Sequence, residues 1–463
     1  MTPGACPELL GNSPEIEHYL QKCSTNGRPR AGRQQEDDNM SSVKEVSLES
    51  AYSGVADNYR GENVDLHAIY RDMRRNSPII AENFMGRLGV PNIAGLDPNR
   101  PTFTVFKYKE TMAVLRDAAN YTSGFIAEGL GAFFDGLILT GMDGEAHKKA
   151  RALLQPIFMP EVVNSWRDSK MDPILRNEFL LPLVPKKKAD LMEFGLYFPI
   201  RLIYALIGFP GNDPDKIKQY AAWALAILAG PQVDAEKAAL ARKAAMDAAK
   251  ALYDATHEAV VEVRRNGAQG DDLISRLIRA ESDGRKFDDH EVTTFVRSLL
   301  PAAAETTTRT FGTLMTLLLE RPDLLERVRS DRSLVPKAID EAIRFEPVAT
   351  FKVRQAAQDL ELAGMAIPKG AMVQCIVSSA NRDEEAFENS EEFDIDRKPK
   401  PSFGFGFGPH MCIGQFIAKT ELQVAVNAIL DLMPNLRLDP DMPAPQITGA
   451  QLRGPKHVHV IWD

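Results

Sequence analysis

The sequence predicts a mainly α-helical fold with a minor β-sheet portion. From about residue 65 onward, apolar residues recur every three or four positions, beginning with Leu66, Ile69, Tyr70 and Met73, as an amphipathic helix requires. Patterns typical of strands are fewer and fall mostly in the last quarter of the chain. The sequence contains no repeat, so we expect one mainly helical unit with a minor sheet portion.

Further helices are predicted from capping residues, helix breakers and apolar spacing. A long Ala-rich helix is expected over residues 235–265, because Asn266-Gly267 ends it. A very long apolar helix is expected over residues 290–320, capped by Asp288-Asp289. Shorter helices are predicted for residues 273–280, from Pro322 onward and for residues 415–432.

The predicted strands lie late in the sequence. They cover residues 360–367, which lead into a turn at Pro368-Lys369-Gly370, and residues 372–377 and 457–462.

The composition is that of an ordinary globular protein. Of 463 residues, 44% are hydrophobic and 26% are charged. The formal net charge of −9 gives no global basic field, so a nucleic-acid partner is not expected. No window approaches the ~18 consecutive apolar residues that span a bilayer, and we expect no membrane span.

The N-terminal region is predicted to be a separate extension. Residues 24–42 are polar and have almost nothing to bury. We therefore expect a flexible extension over residues 1–45 and a single domain over residues 46–463. No signal peptide is expected, because acidic residues interrupt the first apolar stretch.

Four cysteines, Cys6, Cys23, Cys375 and Cys412, are too few and too scattered for a disulfide framework. No Cys-x-x-Cys pair indicates zinc or redox exchange. A reducing cytoplasm is the compartment that fits this usage.

The strongest functional signal is the Gly- and Phe-rich segment 403–414, which contains a single cysteine and precedes a helix. A phosphate loop is the alternative, but Gly406, Gly408 and Gly414 do not have its spacing and no Lys-Ser/Thr follows. Glycines allow a tight turn around a sulfur, and the positive end of the next helix would face it. The pattern therefore favours Cys412 as a thiolate ligand of a metal centre.

This segment resembles the haem-binding signature of the cytochrome P450 family, Phe-Gly-x-Gly-x-His-x-Cys-x-Gly. The matching positions are Phe405, Gly406, Gly408, His410, Cys412 and Gly414. The resemblance implies that Cys412 ligates the haem iron, that Phe405 packs beside the thiolate and that His410 reaches a haem propionate.

A second resemblance concerns Glu341 and Arg344, which lie one helical turn apart. An exposed surface pair is the alternative interpretation. Family members join such a Glu-x-x-Arg to an arginine of a Phe-Asp-x-x-Arg segment, which here supplies Arg397. The resemblance implies a structural triad of these three residues that supports the haem core.

Two further segments supply cationic or donor groups. His147 and Arg151 lie one helical turn apart, and a solvated basic face is the alternative. The family resemblance implies that both bind haem propionates, together with His410 and Arg354. Two carboxylates next to several cations are a favourable arrangement.

The long helix over residues 290–320 resembles the oxygen-binding helix of the family. Ala302 and Ala303 would let it lie close to the haem, and Glu305 and Thr306 would supply protons for O–O cleavage. Back-bonding to helix carbonyls is the alternative role for the threonine. Ala303 stands where the family usually has glycine, and we expect Pro301 to kink the helix there.

The resemblance implies the cytochrome P450 fold, a large helical domain with a smaller β-sheet-containing lobe. It implies a haem b enzyme that inserts one atom of O2 into a hydrophobic small molecule, by hydroxylation or epoxidation. Electrons would come from NAD(P)H through a separate reductase and a 2Fe-2S ferredoxin. We further expect a monomer of the bacterial cytoplasmic kind, and Lys148 and Lys149 could form part of the ferredoxin docking face.

Two other functions remain open at this point. One is a peroxide-driven peroxygenase or haem-thiolate isomerase, and the acid–alcohol pair argues against both. The other is a non-catalytic haem sensor or ligand carrier, which nothing in the sequence favours.

The substrate is predicted to be hydrophobic, such as a terpenoid, an aromatic compound, a fatty acid or a steroid. Ordinary core packing is the alternative role for each apolar residue in the predicted pocket. The predicted pocket residues are Phe125, Leu137, Ala302, Ala303, Val348, Phe351 and Ile447.

Overall fold

A computed structural model describes residues 47–463, except residues 92–98, 136, 210–212 and 233. The predicted extension over residues 1–45 lies outside the described residues, as do Cys6 and Cys23.

Helices dominate the described part of the chain. In chain order they are α1 (Leu48–Asn58), α2 (Leu66–Asn76), α3 (Phe84–Arg87), α4 (Tyr108–Arg116), α5 (Phe125–Glu128), α6 (Gly144–Leu154), α7 (Pro160–Trp166), α8 (Asp172–Ile174), α9 (Leu191–Ile207), α10 (Pro214–Leu228), α11 (Ala235–Arg265), α12 (Leu273–Arg279), α13 (Asp289–Leu319), α14 (Pro322–Ser330), α15 (Val335–Phe345), α16 (Val377–Ala380) and α17 (Gln415–Leu432). The predicted helices over residues 235–265 and 415–432 are confirmed to the residue.

The long helices begin where side chains satisfy their free N–H groups. At α11, the Asp234 carboxylate accepts hydrogen bonds from the backbone N–H groups of Glu236 and Lys237. At α13, Asp288 and Glu291 form a capping box, in which each side chain accepts from the other residue's backbone N–H. The cap at Asp288 was predicted from the sequence, and the helix begins at Asp289, one residue before the predicted start.

The strands are short. They are β1 (Ile79–Ile80), β2 (Thr102–Val105), β3 (Tyr121–Thr122), β4 (Lys188–Asp190), β5 (Glu281–Ser282), β6 (Arg285–Lys286), β7 (Phe351–Ala356), β8 (Leu360–Leu362), β9 (Met365–Ile367), β10 (Met372–Ile376), β11 (Arg437–Leu438), β12 (Ile447–Thr448), β13 (Gly454–Pro455) and β14 (His459–Ile461). A five-stranded mixed sheet has the order β1-β2-β10-β7-β3, and β10 runs parallel to β2 only. A three-stranded antiparallel sheet has the order β11-β14-β4.

The predicted strand over residues 360–367 is wrong as a single strand, because it is a hairpin of β8 and β9. Ala363 and Gly364 form the turn between them, both with positive φ (48° and 82°). The sequence did not indicate a turn at Ala363, since alanine rarely adopts a positive φ.

Helix α13 positions the functional site. It packs against α9, α10, α11, α15 and α17. It continues through Pro301 as one helix from Asp289 to Leu319, and the kink expected there stays a prediction. Among the helices of the described residues, none combines the length and the apolar character needed to cross a membrane.

Candidate active site

A cavity of about 560 Å³ separates α13 from the cysteine loop. This volume falls within the range of small-molecule sites. Thr306 and Cys412 both line this cavity, and most of the remaining lining is apolar. The predicted oxygen-side and sulfur-side segments therefore face one common space.

The cysteine loop is held by its own backbone. The N–H of Cys412 donates to the carbonyl of Phe405 over 2.8 Å. Gly406 and Gly408 have φ values of 75° and 70°, which glycine adopts without strain. A Cβ atom at Gly408 would lie 2.5 Å from the carbonyl oxygen of Leu115, so a larger residue does not fit there.

The Cys412 side chain is exposed to the cavity although protein surrounds it. Burial raises the pKa of its thiol, while the N–H of Gly414 and the charges of Lys352 and Arg151 act to lower it. Helix α17 begins at Gln415, three residues later, so its positive end also lies beside the sulfur. These groups would stabilise a thiolate once it binds a metal.

His147 and His410 lie together at the rim of the cavity. Their ring centroids are 4.3 Å apart, and both residues line the cavity. Burial lowers the pKa of His147 to about 4, and the nearby His410 and Arg151 add to this effect. His147 is therefore neutral at physiological pH, and its buried Nε2 has no hydrogen-bond partner among the described residues.

Two arginines from different elements reach the same rim. Arg151, on α6, donates to the carbonyls of Pro409 and Met411 over 3.0 and 2.9 Å and so ties α6 to the cysteine loop. Arg354, on β7, is buried, and its Nε has no hydrogen-bond partner within the described part of the chain. Unsatisfied buried donors are costly, so the rim suits an anionic group that would accept from them.

Lys352 is a further cation at the cavity that the sequence reasoning missed. It lies on β7 two residues before Arg354, and alternate residues of a strand share a face. Burial lowers the pKa of its ammonium group to about 8, with Arg354 contributing in the same direction. The alternation of β7 was the signal that could have identified it.

The predicted acid and alcohol on α13 are not brought to the same surface. Thr306 lines the cavity and its Oγ1 donates to the carbonyl of Ala302 over 2.8 Å. Glu305 is fully buried, is paired with Arg309 and does not belong to the cavity lining of the described residues. Consecutive helix residues point about 100° apart, so neighbours in sequence face different surroundings here.

Another carboxyl group lies at the cavity wall. Glu421, on α17, lines the cavity and accepts a hydrogen bond from Thr307. Burial raises the pKa of Glu421 to about 8, so it is mostly protonated at neutral pH. The sequence reasoning missed it, because α17 lies far along the chain from α13.

The structure brings Glu341, Arg344 and Arg397 together. Arg344 binds both oxygens of Glu341 over 2.6 and 2.8 Å, and the Nε of Arg397 lies 3.1 Å from Glu341 Oε1. The side chains of Arg344 and Glu341 are only 3% and 5% exposed, so the alternative of an exposed surface pair is wrong. The three residues join α15 to the segment before the cysteine loop.

The predicted pocket residues are only partly in place. Five of them line the cavity: Phe125, Ala302, Ala303, Val348 and Phe351. Within the described residues, the lining does not include Leu137 or Ile447, and a role of these two in the pocket stays a prediction. Ile447 pairs with Pro455 in a two-stranded sheet, and Gln451 is the residue of this segment that reaches the cavity. Leu137 follows the Phe134 turn, and its neighbours Phe134, Ile138 and Leu139 line the wall instead.

Comparison with known proteins gives consistent matches. The family model described as Cytochrome P450 matches residues 231–448. Mycinamicin IV hydroxylase/epoxidase of Micromonospora griseorubida is 31% identical over 329 residues, which are 70% of this chain and 79% of that protein. Pulcherriminic acid synthase of Bacillus subtilis is 27% identical over 87% of this chain and 99% of its own length.

Solved structures match over most of the chain as well. CYP109E1 from Bacillus megaterium in complex with testosterone has a TM-score of 0.73 and 25% identity, and the match covers 86% of this chain and 100% of that one. HmtT, involved in himastatin biosynthesis, has a TM-score of 0.73 and 28% identity over 88% of this chain and 99% of its own.

Proposed function

This chain belongs to the cytochrome P450 family and is a monooxygenase, and we propose that it hydroxylates or epoxidises a hydrophobic small molecule. The observation that carries the proposal is the mainly apolar cavity that both Cys412 and Thr306 line. That arrangement leaves room for a cofactor against the sulfur and for a substrate beneath α13.

The residues at the cavity fit the haem that the family implies. The free donors of His147 and Arg354 suit its two propionates, and Arg151, Lys352 and His410 add positive charge or donors at the same rim. Cys412 would ligate the iron, and Phe405 and Gly414 would lie beside it. When bound, the haem supplies the iron chemistry that activates O2. We propose haem b, because no second cysteine of the described residues reaches the cavity to attach a porphyrin covalently.

Thr306 is the proposed proton-handling hydroxyl. Thr306 lines the cavity and its Oγ1 donates to a helix carbonyl, so its lone pairs remain free to accept from an oxygen species or a water. Glu305 is the proposed acid behind it, and it must leave Arg309 to reach the cavity side of α13. This requirement makes opening of the Glu305–Arg309 pair part of the proposed proton delivery.

The substrate proposal rests on the cavity wall. Apolar side chains from three regions meet there, including Phe125, Phe134, Leu299, Val348 and Phe351. Such a wall suits a terpenoid, aromatic compound, fatty acid or steroid. The match to a protein solved with testosterone supports a substrate of this size and character.

Electrons are proposed to come from NAD(P)H through a reductase and a 2Fe-2S ferredoxin. Lys148 and Lys149 are exposed on α6, the helix that also carries His147 and Arg151 to the rim. An acidic ferredoxin docked on this face would lie close to the cysteine loop, because Arg151 binds that loop directly. We propose that the protein acts as a monomer with these separate partners.

The ligand assignment is tested by spectroscopy of the haem-loaded protein. Reduced protein with carbon monoxide should show the long-wavelength Soret band of a thiolate-ligated haem, and Cys412→Ala should abolish it. Cys375→Ala is the matched control, because Cys375 is buried in the small core beneath the mixed sheet. An unchanged band in the Cys412 variant would refute the assignment.

The reaction class is tested separately by the choice of oxidant. Turnover with NAD(P)H, ferredoxin, reductase and O2 supports the proposal, whereas turnover with hydrogen peroxide alone indicates the peroxygenase alternative. Absence of O2 consumption with every electron donor and ligand would indicate a haem sensor or carrier instead.

A further inference from the structure

Three potential metal ligands meet in the three-stranded sheet, away from the cavity. Asp190 ends β4, and His457 and His459 lie just before and at the start of β14. None of the three lines the cavity, and the proposed monooxygenase function gives them no role.

Strand geometry explains why these side chains converge. His459 lies directly opposite Asp190 in the antiparallel pairing of β14 with β4, so their side chains share a face. His457 is two residues before His459 and therefore points to that same face. One ligand atom from each residue lies within 4.8 Å of the other two.

Backbone hydrogen bonds orient the carboxylate. Asp190 Oδ1 accepts from the N–H groups of Met192 and Val458 over 3.0 and 2.8 Å. Its side chain is only 6% exposed, while Oδ2 faces His457 Nδ1 at 2.7 Å. Such support of a carboxylate is typical of the surroundings of metal ligands.

The two imidazoles are stacked but only one of them has an acid partner. Their centroids are 5.3 Å apart with an interplanar angle of 10°. Within the described residues, the ring of His459 makes no side-chain hydrogen bond, whereas His457 is bound to Asp190. The His457 side chain is 55% exposed, which gives an ion a path from solvent.

We propose that Asp190, His457 and His459 bind one divalent transition-metal ion of the Zn²⁺ type. Imidazole nitrogen and carboxylate oxygen are ligands that Zn²⁺ prefers, and a tetrahedral site with bonds near 2.0–2.1 Å needs ligand atoms about 3.3 Å apart. In the structure the three ligand atoms lie within 4.8 Å of one another. Rotations of the side chains would bring them to the shorter spacing that the ion requires. Solvent would complete the coordination on the exposed side.

Neighbouring charges set the expected strength. Lys188 on β4 and Lys456 beside His457 are exposed and repel a dication, so micromolar rather than tighter affinity is expected. The bound ion would link β14 to the start of α9, because Asp190 also caps that helix. The site would thus stabilise the fold rather than take part in oxygen chemistry.

The test uses haem-loaded, chelator-treated protein titrated with Zn²⁺ alone in a calorimeter. The wild type should bind one more equivalent than His457→Ala or His459→Ala, or bind it at least roughly tenfold more tightly. Saturating Zn²⁺ should also raise the Tm of the wild type and not that of either variant. His290→Ala is the matched control, since His290 is an exposed histidine at the start of α13, beside Tyr253.

Equal stoichiometry and affinity in the wild type and both histidine variants would overturn the proposal. If His459→Ala does not fold, the exposed position of His457 keeps the test available through His457→Ala. If His290→Ala also loses the binding, the ion is bound elsewhere and the proposed site is refuted.

Discussion

Lys352 and Arg354 lie on one face of β7, and both side chains line the cavity that Cys412 faces. Arg151 also lines this cavity, so three basic side chains lie there together with the imidazoles of His147 and His410. Two propionates are the anions that such a rim would receive.

Lys352→Met should release haem about fivefold faster than the wild type, because one charge-assisted contact is lost. Haem transfer to an apomyoglobin acceptor measures the rate.

Since burial lowers the pKa of Lys352 to about 8 in the haem-free protein, its charge is present below that pH and is lost as the pH rises through it. The difference between wild type and variant in haem rebinding should therefore shrink above pH 8. Lys243→Met, at an exposed site on α11, should leave both rates unchanged.

Thr306→Ala should lower the amount of product formed per O2 by roughly tenfold or more, with hydrogen peroxide appearing instead, because the hydroxyl that handles protons is removed. Product, O2 and peroxide are measured with a compound that shifts the haem spectrum. Thr306→Ser retains the hydroxyl and should restore coupling. Full coupling in the alanine variant would exclude a role for this hydroxyl.

Glu341→Gln should destabilise the protein by about 3–5 kcal/mol, because it leaves two arginines without their shared buried counter-charge. A fall in Tm and in the yield of haem-loaded protein measures the effect. Arg327→Ala breaks an ion pair with Asp396 whose side chains are 53% and 54% exposed, and it should change Tm little. Equal effects of the two variants would contradict a structural role for the triad.

Glu421→Gln should weaken the dependence of stability on pH. The pKa of Glu421 rises from 4.5 to about 8 on burial, so its contribution is fully present below about 4.5 and is lost as the pH rises through about 8. Between these values the wild type should lose up to about 1.4 kcal/mol per pH unit relative to the variant. Tm measured across this range tests it, and Glu161→Gln, at an exposed position on α7, should follow the wild type. Parallel curves for wild type and Glu421→Gln would contradict the buried, protonated state.

The sequence by itself determined the helical class, the bounds of α11 and α17, and the loop around Cys412. Each depends on residues close together in the chain: the breaker Asn266-Gly267 after α11, the spacing of apolar residues, and the glycines around one cysteine. The triad was also within reach, because a family resemblance supplied the distant partner Arg397.

Only the tertiary structure decided which side chains share a space. It placed Thr306 at the cavity and Glu305 in the buried interior, and it added Lys352 and Glu421 to the cavity lining. It also brought Asp190 next to His457 and His459, more than half the chain away. Local patterns fix backbone conformation over a few residues, whereas the direction of a side chain toward a cavity or a distant ligand depends on how helices and strands from separate parts of the chain pack. That packing is set by burial summed over the whole core, which no single segment encodes.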